Sequence, residues 1–151
     1  MKRTTTLREL QVRYIPSNKV YQGECISNSE IAFKHVSSLF NQDTIACQEQ
    51  FNVLFLNYSH LPLGFYTASV GSNTATVVDL KLLMGLAVKS LSSCMIIAHN
   101  HPSGNLTPSD NDIQLTKKIK DACALFDIKL LDHLILSPCG GKYSFADNSK
   151  L

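Results

Sequence analysis

The chain has 151 residues, of which 44% are hydrophobic and 17% are charged, and its formal net charge at pH 7 is +2. This length and composition are typical of one soluble globular domain with a sizeable core, and they argue against long disordered segments. The longest basic run is the pair Lys117 and Lys118. The charge pattern therefore gives no support for a nucleic-acid partner.

Cysteine usage and the amino-terminal sequence indicate a cytoplasmic protein. The five cysteines are Cys25, Cys47, Cys94, Cys123 and Cys139. Their spacing suits neither a zinc ribbon nor a disulfide scaffold and favours buried free thiols. The first residues, MKRTTTLREL, lack the apolar region of a signal peptide, and no apolar stretch is long enough to span a membrane. We therefore expect a reducing, cytoplasmic location and no membrane partner.

The amino-terminal part of the chain predicts an extension followed by a helix. Residues 1–20 are polar with isolated apolar positions, so we interpret them as an N-terminal extension before a single domain over 21–151. Ser27 and Glu30 have the spacing of a capping box, and apolar residues then recur at helical period. These signals predict a first helix over residues 28–40.

Two strands and a second helix are predicted next. Residues 51–57, FNVLFLN, are apolar on both alternating faces, which is typical of a strand inside a sheet. Residues 65–71 predict its hairpin partner. Asp79 is placed to cap a helix over residues 80–92. The side chains expected to face the core from this helix are Leu82, Leu83, Leu86 and Leu91.

The carboxy-terminal part alternates strands with one more helix. Residues 94–98, CMIIA, predict a short buried strand, and a third helix is expected over 109–126. Residues 128–137 and 142–147 predict two further strands, separated by a turn at 138–141. Strands interleaved with helices in this order indicate an α/β fold, with helices on both faces of a mixed sheet.

The segment HNHPSGNLTPSDND, residues 99–112, carries the strongest chemical signal. Residues i and i+2 of a strand point to the same side, so His99 and His101 can present their imidazoles together where the 94–98 strand ends. Asp112 lies in the first turn of the next predicted helix. Two imidazoles and one carboxylate form a zinc set of the catalytic kind, with three protein ligands and one position left for water.

A purely structural interpretation of the same residues stays open. Ser109 and Asp112 also have the S-x-x-D spacing of a capping box, and Pro108 is a normal residue to precede a cap. The two interpretations are compatible, because a capped first turn would hold Asp112 in place.

The spacing of H-x-H, seven residues, S, two residues and D resembles the signature of the JAMM (MPN+) zinc metallohydrolases, which also has a glutamate upstream. The segments AHNHPSG, TPSDND and LLDH are more specifically similar to the bacterial RadC-like family, and the resemblance covers about Glu24 to Asp147. It implies a three-layer α/β/α JAMM domain related to the cytidine deaminase fold, with Zn²⁺ bound by His99, His101 and Asp112.

The resemblance also implies two catalytic residues. The family pattern places a glutamate just before the buried strand, and Glu49 matches it. Its carboxylate would accept a proton from zinc-bound water and return it to the leaving amine. Glu24 precedes no such strand and is the weaker candidate. Ser109 would donate a hydrogen bond to the developing oxyanion.

The function that the resemblance implies is zinc-dependent hydrolysis of amide or isopeptide bonds in a protein or peptide substrate. The alternative is a non-catalytic interaction module linked to DNA repair that retains the zinc site. A zinc deaminase needs H-x-E and P-C-x-x-C, whereas this chain has H-N-H and no second cysteine after Pro138 and Cys139, so we reject it. Full-length RadC proteins carry an N-terminal helix-hairpin-helix-like region, and residues 1–20 are too few to hold one, so the family name adds no nucleic-acid partner.

The remaining histidines carry weaker signals. His35 on the first helix and His60 in a turn are expected to be solvated. His133 follows Asp132 on a predicted strand, where it is either a hydrogen-bonded core residue or a partner that supports a zinc ligand.

Overall fold

A computed structural model of the chain describes residues 11, 13–15, 17, 23–71 and 78–151. Within these residues the elements in chain order are α1 (Ser29–Ser37), β1 (Glu49–Leu56), β2 (Pro62–Gly71), α2 (Leu80–Lys89), β3 (Cys94–Asn100), α3 (Asp110–Ala124), β4 (Lys129–Leu136) and β5 (Lys142–Ser144). The predicted extension lies almost entirely outside the described residues and stays a prediction. None of the helices in the described part is long and apolar enough to cross a membrane.

The five strands form one mixed sheet in the order β2-β1-β3-β4-β5. β1 runs antiparallel to both β2 and β3, β3 runs parallel to β4, and β4 runs antiparallel to β5. A parallel pair needs a crossover connection, and α3 supplies the one between β3 and β4. The predicted α/β class and mixed sheet are confirmed. The chain leaves the carboxyl end of β3 to enter α3, and this end of a strand is where open α/β sheets place their ligands.

The strands lie where the sequence predicts them, but several of their ends differ. β1 begins at residue 49 rather than 51, β3 continues to residue 100 rather than 98, and β5 ends at residue 144 rather than 147. Pairing with neighbouring strands sets these ends, and local composition does not reveal that pairing. The longer β3 places His99 within the strand.

Alternate side chains of the buried strands enter two separate hydrophobic clusters, one on each face of the sheet. On β1, Leu54 and Leu56 belong to one cluster, whereas Val53 and Phe55 belong to the other. The helices divide in the same way: α1 adds Ala32 and Val36 to the first cluster, while α2 and α3 add Leu83, Ala87, Ile119 and Cys123 to the second. Helices therefore cover both faces, which explains why β1 is apolar at consecutive positions.

The start of α1 differs from the prediction. The N-cap is Asn28, whose side-chain oxygen accepts a hydrogen bond from the N–H of Ile31 at 2.9 Å, so the predicted capping box between Ser27 and Glu30 is wrong. Glu30 instead forms an ion pair with Lys142 on β5. Serine and asparagine cap equally well, so the local sequence does not distinguish the two adjacent candidates.

The second helix begins as predicted, and its buried face is rotated from the predicted one. Asp79 caps α2 and accepts a hydrogen bond from the N–H of Leu82 at 3.0 Å. The buried side chains of α2 are Leu83, Met84 and Ala87. Leu82 and Leu91 were predicted to face the core, but they are 47% and 84% exposed. Leu91 lies beyond the last helical residue, and Leu82 lies next to the buried face that Leu83, Met84 and Ala87 form.

The cysteines divide into two groups. All five are free thiols, and Cys94 and Cys123 are buried, as predicted. The other three are exposed, so the prediction of buried thiols is wrong for Cys25, Cys47 and Cys139. Burial raises the pKa of the Cys123 thiol to about 11, which keeps it protonated and unreactive near neutral pH.

Candidate metal centre

Three side chains singled out by the sequence converge where β3 ends and α3 begins. His99 is in β3, His101 is the first residue after that strand, and Asp112 lies in the first turn of α3. The two Nε2 atoms are 2.9 Å apart. Asp112 Oδ1 lies 3.2 Å from His99 Nε2, and Asp112 Oδ2 lies 3.6 Å from His101 Nε2. One ligand atom from each residue lies within 4.8 Å of the others, so these three residues could hold a metal ion.

The spacing of these atoms fits a tetrahedral metal ion. Zinc ligands at about 2.0–2.1 Å from the ion stand about 3.3 Å from one another at the corners of a tetrahedron. The two nitrogens are 2.9 Å apart, and each lies near a different oxygen of Asp112, His99 at 3.2 Å from Oδ1 and His101 at 3.6 Å from Oδ2, so the separations are close to that value. His99 is 1% exposed, whereas His101 and Asp112 are 18% and 14% exposed. The cluster is therefore closed on the side of the sheet and accessible from the side of the loop.

The electrostatics of the cluster favour an ionised carboxylate between two imidazoles. Burial raises the pKa of Asp112, but hydrogen bonds with His101 and His99, together with the charge of His99, outweigh it and hold that pKa far below its usual range. The hydrogen bond with Asp112 in turn raises the pKa of His101. The carboxylate therefore supplies a fixed negative charge beside two nitrogen donors.

The loop after β3 orients the second imidazole. His101 Nδ1 bonds to the carbonyl oxygen of Asn105, which can only accept, so Nδ1 carries the hydrogen and Nε2 is left to bind a metal. The backbone N–H of His101 donates to the carbonyl of Leu136 at 2.9 Å. Gly104 has φ +80° and closes the turn by donating to the carbonyl of His101. A side chain at this left-handed position would be strained, which explains the glycine in the motif.

The start of α3 combines the cap and the candidate ligand in one pair of residues. Ser109 Oγ accepts a hydrogen bond from the Asp112 N–H at 3.2 Å, and both the N–H and the hydroxyl of Ser109 donate to Asp112 Oδ2 at 2.7 Å. The predicted capping box is confirmed. The cap uses Oδ2 of Asp112, while Oδ1 faces His99.

The predicted catalytic residue Glu49 lies beside the cluster. It is the first residue of β1, and Phe51 of the same strand pairs with His99. Continuing that antiparallel register places Glu49 opposite His101, and the charge of Glu49 raises the pKa of His101. Glu49 and Ser109 line one groove with His99, His101 and Asp112, and its volume is about 900 Å³. Glu24 is exposed and does not line this groove; its charge acts on His35.

Asn100, the middle residue of the H-N-H run, anchors the segment that carries Glu49. It is fully buried. Its Oδ1 accepts a hydrogen bond from the Gln50 N–H at 2.8 Å, and its Nδ2 donates to the carbonyls of Ile45 and Gln48 at 2.7 and 2.9 Å. Sequence reasoning missed this residue because the motif leaves its position unspecified. An amide at the end of an otherwise apolar strand was the available signal.

His133 contacts a candidate ligand directly. Its Nε2 lies 2.8 Å from His99 Nδ1, and its Nδ1 lies 2.6 Å from Thr116 Oγ1. His133 is therefore a hydrogen-bonded core residue, as one interpretation predicted, and its partner His99 is a candidate metal ligand, so the other predicted role stays open. Burial and the charge of His99 lower the pKa of His133 well below its usual value, so the ring is neutral. Thr116 was not identified from the sequence.

The prediction that His35 is solvated is wrong. His35 is 9% exposed and lies on the buried face of α1 with Ala32 and Val36, and burial lowers its pKa. His60 is half-buried in the turn between β1 and β2, so the prediction holds only in part there.

Comparison with known proteins identifies a family and several relatives that match most of this chain. Residues 26–150 match the family described as "RadC-like JAB domain". A UPF0758 protein of Porphyromonas gingivalis is 40% identical over 139 residues, which cover 92% of this chain and 60% of that protein. UPF0758 proteins of Flavobacterium johnsoniae and Thermosynechococcus vestitus are 44% and 48% identical over 66% and 58% of this chain. The matched regions cover 43% and 35% of those two proteins, so the match spans three-fifths or less of the length of these three relatives.

Proposed function

The chain belongs to the RadC-like JAB domain family, and from that premise we propose that it is a zinc-dependent hydrolase of amide or isopeptide bonds in proteins or peptides. One observation carries the proposal. Two imidazoles and a carboxylate converge with metal-ligand spacing, and Glu49 lines the same groove. A structural metal site is closed by four protein ligands and has no use for a further carboxylate in an open groove, so the position of Glu49 favours a catalytic site.

The donor set suits zinc in a three-ligand site. His99 Nε2, His101 Nε2 and the Asp112 carboxylate would hold the ion, and borderline nitrogen and oxygen donors are those that zinc takes in catalytic centres. An ion held there would supply Lewis-acid chemistry, polarising the substrate carbonyl and making a nearby water more acidic. Because none of the described residues that line the groove is a cysteine, a closed four-ligand structural site is not favoured.

Glu49 would act as general base and then as general acid. Its carboxylate accepts a proton from the attacking water while the water oxygen forms a bond to the scissile carbonyl carbon. The proton then passes from Glu49 to the leaving nitrogen as the C–N bond breaks, so the carboxylate is regenerated. Asn100 supports this role, because its three hydrogen bonds hold the backbone on both sides of Glu49.

Ser109 would have two roles. Its backbone N–H donates to Asp112 Oδ2, so that carboxylate stays held even when the hydroxyl rotates away. The hydroxyl lies at the amino end of α3, inside the groove, and can turn from Asp112 towards the oxygen of the scissile carbonyl. There it would donate to the negative charge that develops in the transition state.

The substitution Glu49→Gln tests this proposal most directly. Glutamine keeps the size of the side chain and one acceptor oxygen but cannot carry a proton near neutral pH. We expect the variant to fold, to retain about one zinc per chain, and to lose hydrolysis by about two to four orders of magnitude. Elemental analysis measures the metal, and a peptide-library cleavage screen on the wild type supplies the substrate for kinetics.

Glu24→Gln is the matched control, since Glu24 is exposed and does not line the groove. It should hydrolyse the substrate at the wild-type rate. Loss of zinc in Glu49→Gln would show that Glu49 is a ligand. Absence of metal in the wild type, with none taken up on addition, would overturn the proposed function. A zinc-loaded wild type that cleaves no substrate would instead favour a non-catalytic interaction module.

A further inference from the structure

A buried polar chain connects two of the candidate ligands behind the metal centre. It runs from His99 Nδ1 to His133 Nε2 at 2.8 Å and from His133 Nδ1 to Thr116 Oγ1 at 2.6 Å. The Thr116 hydroxyl then reaches the backbone carbonyl of Asp112 at 2.5 Å. We propose that Thr116 and His133 are positioning residues that fix the tautomer of His99 and so aim its unprotonated Nε2 at the metal. This inference rests on the proposed metal site and is independent of the proposed hydrolysis.

The direction of each hydrogen bond follows from what each atom can donate. A carbonyl oxygen only accepts, so the Thr116 hydroxyl donates its single hydrogen to Asp112. Towards His133 the same hydroxyl oxygen must then accept, and His133 Nδ1 carries the hydrogen. A neutral imidazole has one N–H, so His133 Nε2 accepts from His99 Nδ1–H. When His99 is neutral, as a metal ligand must be, this arrangement leaves its lone pair on Nε2.

Packing prevents the rings from turning out of this arrangement. Phe145 stacks on His133 with ring centroids 4.7 Å apart and planes 13° apart. Phe51 lies nearly parallel to His99, with centroids 6.1 Å apart and planes 8° apart. His133 and Thr116 are 0% and 2% exposed. Water therefore has little access with which to replace either hydrogen bond.

The hydrogen-bonded chain connects three elements of the fold, β3, β4 and α3, and two of them carry candidate metal ligands. His99 belongs to β3, His133 to the neighbouring strand β4, and Thr116 to α3 one turn after Asp112. The one Thr116 hydroxyl therefore sets the tautomer of His99 and also contacts the first turn that presents Asp112. Outer partners of this kind orient ligands and raise their basicity.

Without the Thr116 hydroxyl, the tautomer of His99 should no longer be fixed. Without an acceptor at residue 116, His133 can carry its hydrogen on Nε2 and donate it to His99 Nδ1. His99 would then carry its own hydrogen on Nε2, at the atom that should bind the metal. Zinc would have to displace that hydrogen, and loss of such a partner typically costs about 10–100-fold in metal affinity.

The test compares Thr116→Val with Thr116→Ser. Valine keeps the shape of threonine without the hydroxyl, and serine keeps the hydroxyl. Zinc affinity is measured by competition with a chromophoric chelator. The ¹⁵N shifts of the His99 ring are measured in the metal-free protein at alkaline pH. We expect Thr116→Val to bind zinc about 10–100-fold more weakly, with mixed His99 tautomers, and Thr116→Ser to match the wild type in both measurements.

Two further variants cover the case in which the valine protein does not fold. In His133→Gln the amide oxygen can replace His133 Nε2 as the acceptor from His99, whereas His133→Leu provides no acceptor. The glutamine variant should therefore bind zinc more tightly than the leucine variant. Wild-type affinity and an unchanged His99 tautomer in Thr116→Val would overturn the inference, as would equal losses in the valine and serine variants. Neither measurement uses turnover, so a protein that binds zinc but hydrolyses nothing would contradict the proposed function alone.

Discussion

The amino ends of α2 and α3 can be compared directly, because each is capped by a side-chain oxygen that accepts a backbone N–H three residues later. In α2 the cap is the carboxylate of Asp79, bonded to the Leu82 N–H at 3.0 Å. In α3 the cap is the hydroxyl of Ser109, bonded to the Asp112 N–H at 3.2 Å. Both arrangements satisfy an N–H that the helix itself leaves unpaired.

The difference lies in where the carboxylate is placed. Asp79 is the cap, is exposed, and directs an oxygen to its own helix. In α3 the serine takes the capping role, so Asp112 at the third helical position bonds back to Ser109 through Oδ2 and faces His99 with Oδ1. A hydroxyl cap thus leaves one carboxylate oxygen available to a metal, and the helix start becomes part of a site.

The largest effect that should separate the two helix starts is at the carboxylates. Asp112→Asn keeps an oxygen that can accept from Ser109 but removes the charge between the two imidazoles. We expect zinc affinity to fall by more than the roughly 100-fold that the loss of a supporting partner costs, and hydrolysis to fall with it. Asp79→Asn should retain wild-type zinc content by elemental analysis. Full zinc occupancy in a folded Asp112→Asn protein would remove Asp112 from the ligand set.

A smaller difference is expected at the caps themselves. Ser109→Ala should cost about 1 kcal/mol of unfolding free energy through the lost cap and about two to three orders of magnitude in hydrolysis through the lost oxyanion donor. Asp79→Ala should lose similar stability and keep full hydrolysis. Chemical denaturation and steady-state kinetics measure the two quantities. Full hydrolysis by a folded Ser109→Ala protein would reduce Ser109 to a cap.

The parts of the fold that the sequence predicts are those encoded by local pattern. The apolar run CMIIA predicts most of β3, and the pairing of Ser109 with Asp112 follows from their spacing within one helical turn. The predicted cap of α1 was wrong because Ser27 and Asn28 are adjacent residues of equal capping tendency. The prediction that Leu82 faces the core was wrong. Leucines lie on several faces of α2, so periodicity alone does not identify the buried ones.

The supporting residues of the metal centre could not be predicted, because they depend on strand register and helix packing. His133 reaches His99 because β3 and β4 pair in parallel with Ile97 opposite His133, a register that neither strand encodes alone. Thr116 is 17 positions from His133 in the chain and meets it only once α3 packs on the sheet. Asn100 accepts a hydrogen bond from the N–H of Gln50, which is 50 positions away in the chain. Motif spacing identifies ligands close in sequence and does not reveal partners brought together by the fold.

The smallest expected effect is at Asp79, and it tests whether the two helix starts are independent. Asp79→Ala should lower the unfolding free energy of the metal-free protein by about 1 kcal/mol, and Asp79→Asn should leave it nearly unchanged, since asparagine caps as well as aspartate. At free zinc about 100 times the dissociation constant, binding should add about 2.7 kcal/mol to both variants and to the wild type. The increments should be equal because Asp79 caps α2, and none of the three candidate ligands belongs to that helix. Denaturation curves of the wild type and both variants, with and without zinc, measure the stability changes and the zinc increments. A smaller zinc increment in Asp79→Ala would mean that the start of α2 is coupled to the metal centre, and the distinction between a structural cap and a site-bearing cap would then fail.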